Sequence, residues 1–272
     1  MHNYDHEFNL RRRHPFGRVH MVTNQLQSLW ARATMDCHLD HAYGATNGQT
    51  VDIFPAAQPS APVLLFIHGG YFRALDKSQY SYIARPYVAA GFTVAVMNYD
   101  LAPGVSIGEI IQQNLAGFEW LKQNIHSWNG DASKFILCGH SVGAFLVAKI
   151  VQHAVVMNDS ECIGAQILLS GIFDLTKVRQ SYLNQALSLN ESEINASPIF
   201  TDCYQQPETM ILVGGEETAE FIRQSERYHQ KMLACRTRSE YHCLEDLNHY
   251  TVSRLLASKY NFLYHKICSL VR

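Results

Sequence analysis

The sequence predicts an α/β fold in which a mostly parallel, twisted sheet carries helices on both faces. Short apolar runs alternate with helical patterns along most of the 272 residues, and this alternation is typical of parallel sheets. Runs such as "VLLFI" at 63–67 are apolar throughout, which indicates strands buried on both faces. Hydrophobic residues make up 47% of the chain and charged residues 17%, as expected for a globular protein with a large core.

The predicted strands and helices follow one another in order. We expect strands at 62–70, 92–100, 134–139, 165–175, 209–215 and 240–246, and helices at 78–91, 106–128, 142–156, 218–235 and 251–270. Pro86 should kink the first helix. Residues 1–50 and 176–206 do not fit the alternation. We expect them to form a small cap within a single domain of residues 1–272, because parallel sheets bind ligands at the carboxyl ends of their strands.

Charge and cysteine content limit the partners and the compartment that we expect. The formal net charge is −2, so charge gives no argument for nucleic acid or an anionic membrane as a partner. The basic run "RRRHPFGR" at 11–18 is short and is interpreted as a solvated segment. The polar first ten residues lack the apolar core of a secretory signal. Seven cysteines without a CxxC pair predict reduced thiols and a cytoplasmic location.

The segment "FILCGHSVGAFL" at 135–146 places Ser141 between an apolar strand and an apolar helix. It contains the pattern G-x-S-x-G, in which small residues permit a tight, strained turn that exposes the serine hydroxyl at a helix N-terminus. The alternative interpretation is a serine that only caps the helix. In its chain context, the pattern favours Ser141 as a nucleophile.

A serine nucleophile needs a base and an acid that orients the base. In G-x-S-x-G hydrolases these follow the serine in the order acid, then histidine. His249 lies between the last predicted strand and the terminal helix and fits the base better than His242 or His265. Glu216 and Glu217 follow the strand "ILVGG", and spacing alone does not choose between them. Asp202 and Asp246 are less suitably placed candidates.

The glycine pair in "IHGGYF" at 67–72 ends an earlier strand and is suited to an oxyanion hole. Glycines let the backbone approach a substrate closely, and such sites use peptide N–H groups to stabilise a developing negative charge. We therefore assign the N–H groups of Gly69 and Gly70 to this hole, with that of Val142 directly after the nucleophile. The alternative for "HGG" alone is an ordinary glycine turn.

Several segments together resemble a known family. They are "YGATNGQTVDIFPA" (43–56), "HGGYF" (68–72), "NYDLAPG" (98–104), "GHSVGA" (139–144), the stretch 169–199, "VGGEETAEFIRQS" (213–225) and "NHY" (248–250). This set resembles the kynurenine formamidase (arylformamidase) group of α/β hydrolases, close to the hormone-sensitive-lipase-like esterases. The resemblance implies the α/β-hydrolase fold and favours Glu217 over Glu216 as the acid. Phe72 and Val142 depart from the tryptophan and alanine usual in the group.

The resemblance implies a serine hydrolase that cleaves N-formylkynurenine to kynurenine and formate, a reaction of tryptophan catabolism. A carboxylesterase for short-chain acyl esters would use the same residues, and a non-catalytic binding protein would share the fold. Aromatic side chains that could contact an aryl substrate are Tyr71, Phe72, Tyr80, Phe173 and Tyr182.

We expect neither a cofactor nor a metal, because "CHLDH" at 37–41 has no second ligand cluster. The expected partner is a small-molecule acyl substrate. A homodimer is left open by the sequence.

Overall fold

The computed structural model describes residues 4–271 and contains one eight-stranded sheet. Its strands are β1 (His38–Ala42), β2 (Thr50–Phe54), β3 (Ala61–Ile67), β4 (Thr93–Met97), β5 (Gly130–His140), β6 (Ile163–Leu169), β7 (Glu208–Gly214) and β8 (Ser239–Leu244). The spatial order is β1-β2-β4-β3-β5-β6-β7-β8. Strand β2 pairs antiparallel with β1 and β4, and all other pairs are parallel. The predicted α/β class is confirmed.

The helices connect and flank these strands. They are α1 (Asp5–Phe8), α2 (Leu10–Arg13), α3 (Gly17–Thr34), α4 (Ala84–Ala89), α5 (Ile107–Asn124), α6 (Val142–Val156), α7 (Thr176–Arg179), α8 (Asn184–Leu187), α9 (Glu191–Asn195), α10 (Ala219–Ala234) and α11 (Phe262–Ser269). Short 3-10 segments lie at Lys77–Gln79, Ser81–Ile83, Ile125–Trp128, Pro198–Phe200 and Val252–Ala257. None of the helices in residues 4–271 is long and apolar enough to cross a membrane.

Alternation along the central strands divides the core into two layers. In β3, Val63, Leu65 and Ile67 pack on one side with buried residues of α5, α6 and α10. Leu64 and Phe66 pack on the other side with residues of α4 and α11. Because successive side chains of a strand point to opposite faces, a wholly apolar strand requires helices on both faces. The parallel pairing of β3 to β8 places the carboxyl ends of these strands at one edge of the sheet.

Two predicted helices are shorter than the sequence patterns indicated. In place of a helix over 78–91, two 3-10 segments precede α4, and Pro86 is the third residue of α4. Pro86 therefore lies in the first turn of α4, where the N–H groups have no intrahelical partner for proline to remove. In place of a helix over 251–270, a 3-10 segment is followed by α11. The side chain of Asn261 starts α11 by accepting a hydrogen bond from the Tyr264 N–H (3.1 Å).

A disulfide joins Cys203, which precedes β7, to Cys235 at the C-terminus of α10. The expectation that every cysteine is a reduced thiol was therefore wrong for this pair. The two residues are 32 positions apart, and α10 packs against β7 and β8 in this part of the fold. Cys138, by contrast, is a buried free thiol within β5.

Candidate active site

Ser141 occupies a sharp turn between β5 and α6. Its backbone angles are φ 59° and ψ −124°, a conformation that is strained for a residue with a side chain. A Cβ added at Gly139 would collide with the backbone of Gly143, and one added at Gly143 would collide with the carbonyl of Ile67 in β3. The two glycines thus allow β5, the turn and α6 to pack this closely. The hydroxyl of Ser141 makes no capping hydrogen bond, so the helix-cap interpretation does not hold.

The imidazole of His249 is held by the carboxylate of Glu217. The distance from His249 Nδ1 to Glu217 Oε2 is 2.7 Å, and both side chains are buried. The other oxygen, Oε1, accepts hydrogen bonds from the Gly214 N–H (3.0 Å) and the Ser170 hydroxyl. A buried carboxylate is stable when its oxygens are hydrogen-bonded in this way. Sequence reasoning missed Ser170, although it lies in the quoted stretch 169–199.

The other candidate acids and bases lie elsewhere. Glu216 is exposed, and Asp202 and Asp246 are exposed as well. His242 lies within β8 beside Glu240 (3.5 Å), and His265 is exposed on α11. Among the candidate acids, the structure therefore places only Glu217 against His249. Neither alternative histidine lies beside Glu217.

The carbonyl of His249 is bound by a residue next to the serine. His140 Nε2 lies 2.9 Å from the His249 carbonyl oxygen, so Nε2 must carry the proton that it donates. Burial lowers the pKa of His140 well below its usual value, and the adjacent His249 lowers it further. A neutral His140 therefore links the end of β5 to the His249 loop. Sequence reasoning did not assign His140 a role, although it is the variable residue of the G-x-S-x-G pattern.

Ser141 and His249 line the same cavity, which has a volume of about 360 Å³. The N-terminal residues and α3 form one wall, and the loop after β3 forms another. The lining residues are Phe8, Asn9, Leu10, Arg11, His20, Met21, Asn24, Gly70, Tyr71, Arg73, Ala74, Leu75, Gln79, Tyr80, His140, Ser141, Tyr182, His249, Tyr250 and Ser253. Of the second expected cap region, 176–206, only Tyr182 lines the cavity among the described residues.

The "HGG" turn lies directly beside the serine. A Cβ added at Gly69 would come within 2.8 Å of Ser141 Cβ. Gly70 has φ 112° and lines the cavity, whereas Gly69 does not line it. Within residues 4–271, the N–H groups of Gly70 and Val142 have no hydrogen-bond acceptor in the protein. Peptide donors without a partner next to a serine are suited to receive a negatively charged oxygen.

The two aromatic residues after the glycines point in different directions. Tyr71 lines the cavity, and its hydroxyl donates to the carbonyl of Phe8 (2.9 Å). Phe72 is fully buried and packs edge-on against Phe145 of α6, with ring centroids 5.4 Å apart. The expectation that Phe72 contacts substrate was therefore wrong, because the turn directs its ring into the core.

Of the other aromatic residues expected to contact substrate, some line the cavity and one lies in the core. Tyr80 and Tyr182 line the cavity. Phe173 instead stacks on Tyr228 at 4.2 Å in the core. In the "CHLDH" segment, His38 and His41 pack against Trp128. Residues 4–271 contain no group of three or more His, Cys, Asp or Glu side chains arranged to hold a metal ion.

Comparison with known proteins defines the class to which this fold and site belong. The family model of the alpha/beta hydrolase fold matches residues 64–253, which include the glycine turn, Ser141, Glu217 and His249. The chain belongs to the α/β-hydrolase-fold family and is a hydrolase.

Within this family the chain is similar to kynurenine formamidases. It is 24% identical to the kynurenine formamidase of Danio rerio over 265 residues, covering 92% of this chain and 87% of the relative. It is 31% identical to that of Drosophila melanogaster over 203 residues, covering 70% and 67%. The resemblance stated from the sequence is confirmed.

Solved structures agree on the fold. The carboxylesterase EstE1 from a metagenomic library superposes with a TM-score of 0.76 at 16% identity, covering 94% of this chain and 98% of that one. A Silicibacter protein provisionally described as a thioesterase gives a TM-score of 0.86 at 21% identity, with 98% of both chains covered.

Proposed function

We propose that this protein is a serine hydrolase that transfers an acyl group to water through a covalent acyl-enzyme. The single observation that carries the proposal is the Glu217–His249 hydrogen bond at the cavity that Ser141 also lines. Glu217 holds the Nδ1 proton of His249, which leaves Nε2 free to act as a base. The N–H groups of Gly69, Gly70 and Val142 are the proposed donors to the oxyanion.

The reaction proceeds in two halves. The oxygen of Ser141 attacks the carbonyl carbon of the substrate while His249 takes the hydroxyl proton, and a tetrahedral oxyanion forms. The oxyanion collapses, the bond to the leaving group breaks, and His249 gives its proton to the departing nitrogen or oxygen. Water then attacks the acyl-enzyme with His249 as base, which releases the acid and restores Ser141.

The substrate that we propose is N-formylkynurenine, cleaved to kynurenine and formate. The similarity to kynurenine formamidases over most of the chain supports this choice. The cavity walls contribute Tyr71, Tyr80, Tyr182 and Tyr250, whose rings are suited to an aryl leaving group. A short-chain ester would use the same catalytic groups, so a carboxylesterase is the alternative that the test must distinguish.

Two measurements test the proposal. A fluorophosphonate probe should label the wild type at Ser141, whereas a folded Ser141→Ala variant should remain unlabelled. The same variant should lower turnover of N-formylkynurenine by about 10⁴–10⁶-fold, with an unchanged circular dichroism spectrum. A folded wild type that resists the probe would point to a non-catalytic protein. Rapid cleavage of p-nitrophenyl esters without formamide turnover would favour the carboxylesterase.

A further inference from the structure

Two arginines from distant parts of the chain line the same cavity. Arg11 belongs to α2, and Arg73 lies in the loop after β3, where its N–H donates to the Gly70 carbonyl (3.1 Å). Both side chains are exposed, and both line the cavity that contains Ser141. The backbone bond to Gly70 fixes Arg73 next to the proposed oxyanion glycines.

Tyr182 contacts the guanidinium group of Arg73 in the same cavity that Arg11 lines. The guanidinium carbon of Arg73 is 5.6 Å from the centre of the Tyr182 ring. Burial raises the pKa of Tyr182, and the positive charges of Arg73 and Arg11 oppose that rise. The two guanidinium groups therefore act on the same part of the cavity.

The cavity lining contributes no carboxylate beside these two charges. The cavity lining contains two arginines and three histidines but neither aspartate nor glutamate. Among residues 4–271, neither Arg11 nor Arg73 lies within ion-pair distance of a carboxylate. Asp5 approaches the same region, but its carboxylate accepts a hydrogen bond from the Tyr182 N–H (2.7 Å) and does not line the cavity. The cavity lining thus carries two arginine charges and no carboxylate.

We propose that Arg11 and Arg73 form a subsite that binds a carboxylate on the leaving group of the substrate. This inference rests on the proposed hydrolase function and adds to it a requirement for an anionic leaving group. The planar guanidinium group presents paired N–H donors that match the two oxygens of a carboxylate. The amino-acid carboxylate of N-formylkynurenine lies on the leaving group, so this substrate class fits the subsite. Simple alkyl esters lack the anion.

Matched variants and substrates test the subsite. The variants are Arg11→Gln and Arg73→Gln, with Arg12→Gln as the control, because Arg12 is also exposed but does not line the cavity. The substrates are N-formylkynurenine and its α-carboxamide, which differ only in the charged group. We expect the kcat/KM for N-formylkynurenine, divided by that for the carboxamide, to fall about fivefold to tenfold in Arg11→Gln and in Arg73→Gln. Most of this change should be a higher KM for N-formylkynurenine. The ratio should stay unchanged in Arg12→Gln. Added salt should lower the ratio in the wild type, since exposed charges are screened.

A binding measurement separates this proposal from the hydrolytic one. In a Ser141→Ala background, kynurenine affinity measured by calorimetry should fall by a similar factor when Arg73 is replaced by Gln. If the wild type cleaves neither formamide, the formamidase proposal fails. The ester pair 4-acetoxybenzoate and 4-acetoxybenzamide then provides the same comparison for the subsite. The carboxylate subsite would be overturned if Arg11→Gln and Arg73→Gln changed the kinetics of charged and uncharged compounds equally, or changed neither.

Discussion

At the scale of single residues, the environment of a carboxylate decides whether it can position His249, as Glu216 and Glu217 show. It follows Glu216 directly, yet Glu216 is exposed and Glu217 is only 3% exposed. The carboxylate oxygens of Glu217 are hydrogen-bonded to His249, Gly214 and Ser170. These bonds hold the carboxylate in one orientation, which is the requirement for a group that positions an imidazole.

Replacing these two glutamates should have very different effects. Glu217→Gln should lower kcat for the preferred acyl substrate by about 10³–10⁴-fold, because an amide in place of the carboxylate no longer stabilises the His249 cation. Glu216→Gln should change kcat by less than about twofold, since its side chain is exposed. Steady-state kinetics of both variants, with melting temperatures to verify folding, provide the measurement. A larger loss from Glu216→Gln would show that the acid has been assigned incorrectly.

The turn between β5 and α6 is the element on which the site depends most. It combines the positive φ of Ser141 with close backbone packing at Gly139 and Gly143. It also buries His140, whose Nδ1 has no hydrogen-bond partner among the described residues. Protonation of Nδ1 would place an unpaired charge in a buried site, which is strongly unfavourable.

This burial predicts a loss of stability in mild acid. The pKa of His140 is lowered in the folded state, so the unfolded chain takes up the proton first as the pH falls below about 6.5. The contribution of His140 to the free energy of unfolding should therefore decrease below that pH, with a slope approaching about 1.4 kcal/mol per pH unit.

Denaturant unfolding at several pH values between 7.5 and 5.5, spanning roughly the ordinary range of histidine titration, measures this slope. His140→Gln should remove that part of the dependence, whereas His153→Gln, at an exposed position of α6, should retain it. Identical pH dependence in wild type and His140→Gln would contradict the prediction.

At the scale of the whole molecule, the N-terminal segment is attached to the catalytic side of the sheet. The carbonyl of Glu7 accepts a hydrogen bond from the Thr218 hydroxyl (2.9 Å), and the carboxylate of Glu7 accepts one from the Glu220 N–H (3.0 Å). Tyr71 binds Phe8 in the same region. These contacts join residues more than sixty positions apart, and they build the cavity wall that includes Arg11.

The Cys203–Cys235 disulfide constrains the chain around β7 and α10. For residues 32 positions apart, the chain-entropy treatment predicts a contribution of about 3–4 kcal/mol to the free energy of unfolding. Replacing both cysteines by alanine should lower the free energy of unfolding by about this amount in non-reducing denaturant titrations. Cys243→Ala, at an exposed free thiol, should change it by less than about 0.5 kcal/mol.

Reductant should destabilise the wild type but not the double variant. Thiol titration of the unfolded, non-reduced protein should find the five free cysteines. Seven reactive thiols would contradict the pairing.

The amino-acid sequence was enough to predict the α/β class, the turn at Ser141 and the position of His249. Buried apolar runs and the small residues of a strained turn are local requirements. They are therefore visible as patterns in one amino-acid sequence. It left Glu216 and Glu217 undecided on spacing, and only the resemblance favoured Glu217.

Four features became visible only in the folded chain: Phe72 faces the core, Ser170 supports Glu217, Cys203 pairs with Cys235, and Arg11 and Arg73 line one cavity. Each of these depends on the side of an element that a residue faces and on contacts between distant segments. Hydrophobic periodicity carries no information about such contacts, because many long-range pairings are compatible with the same local pattern.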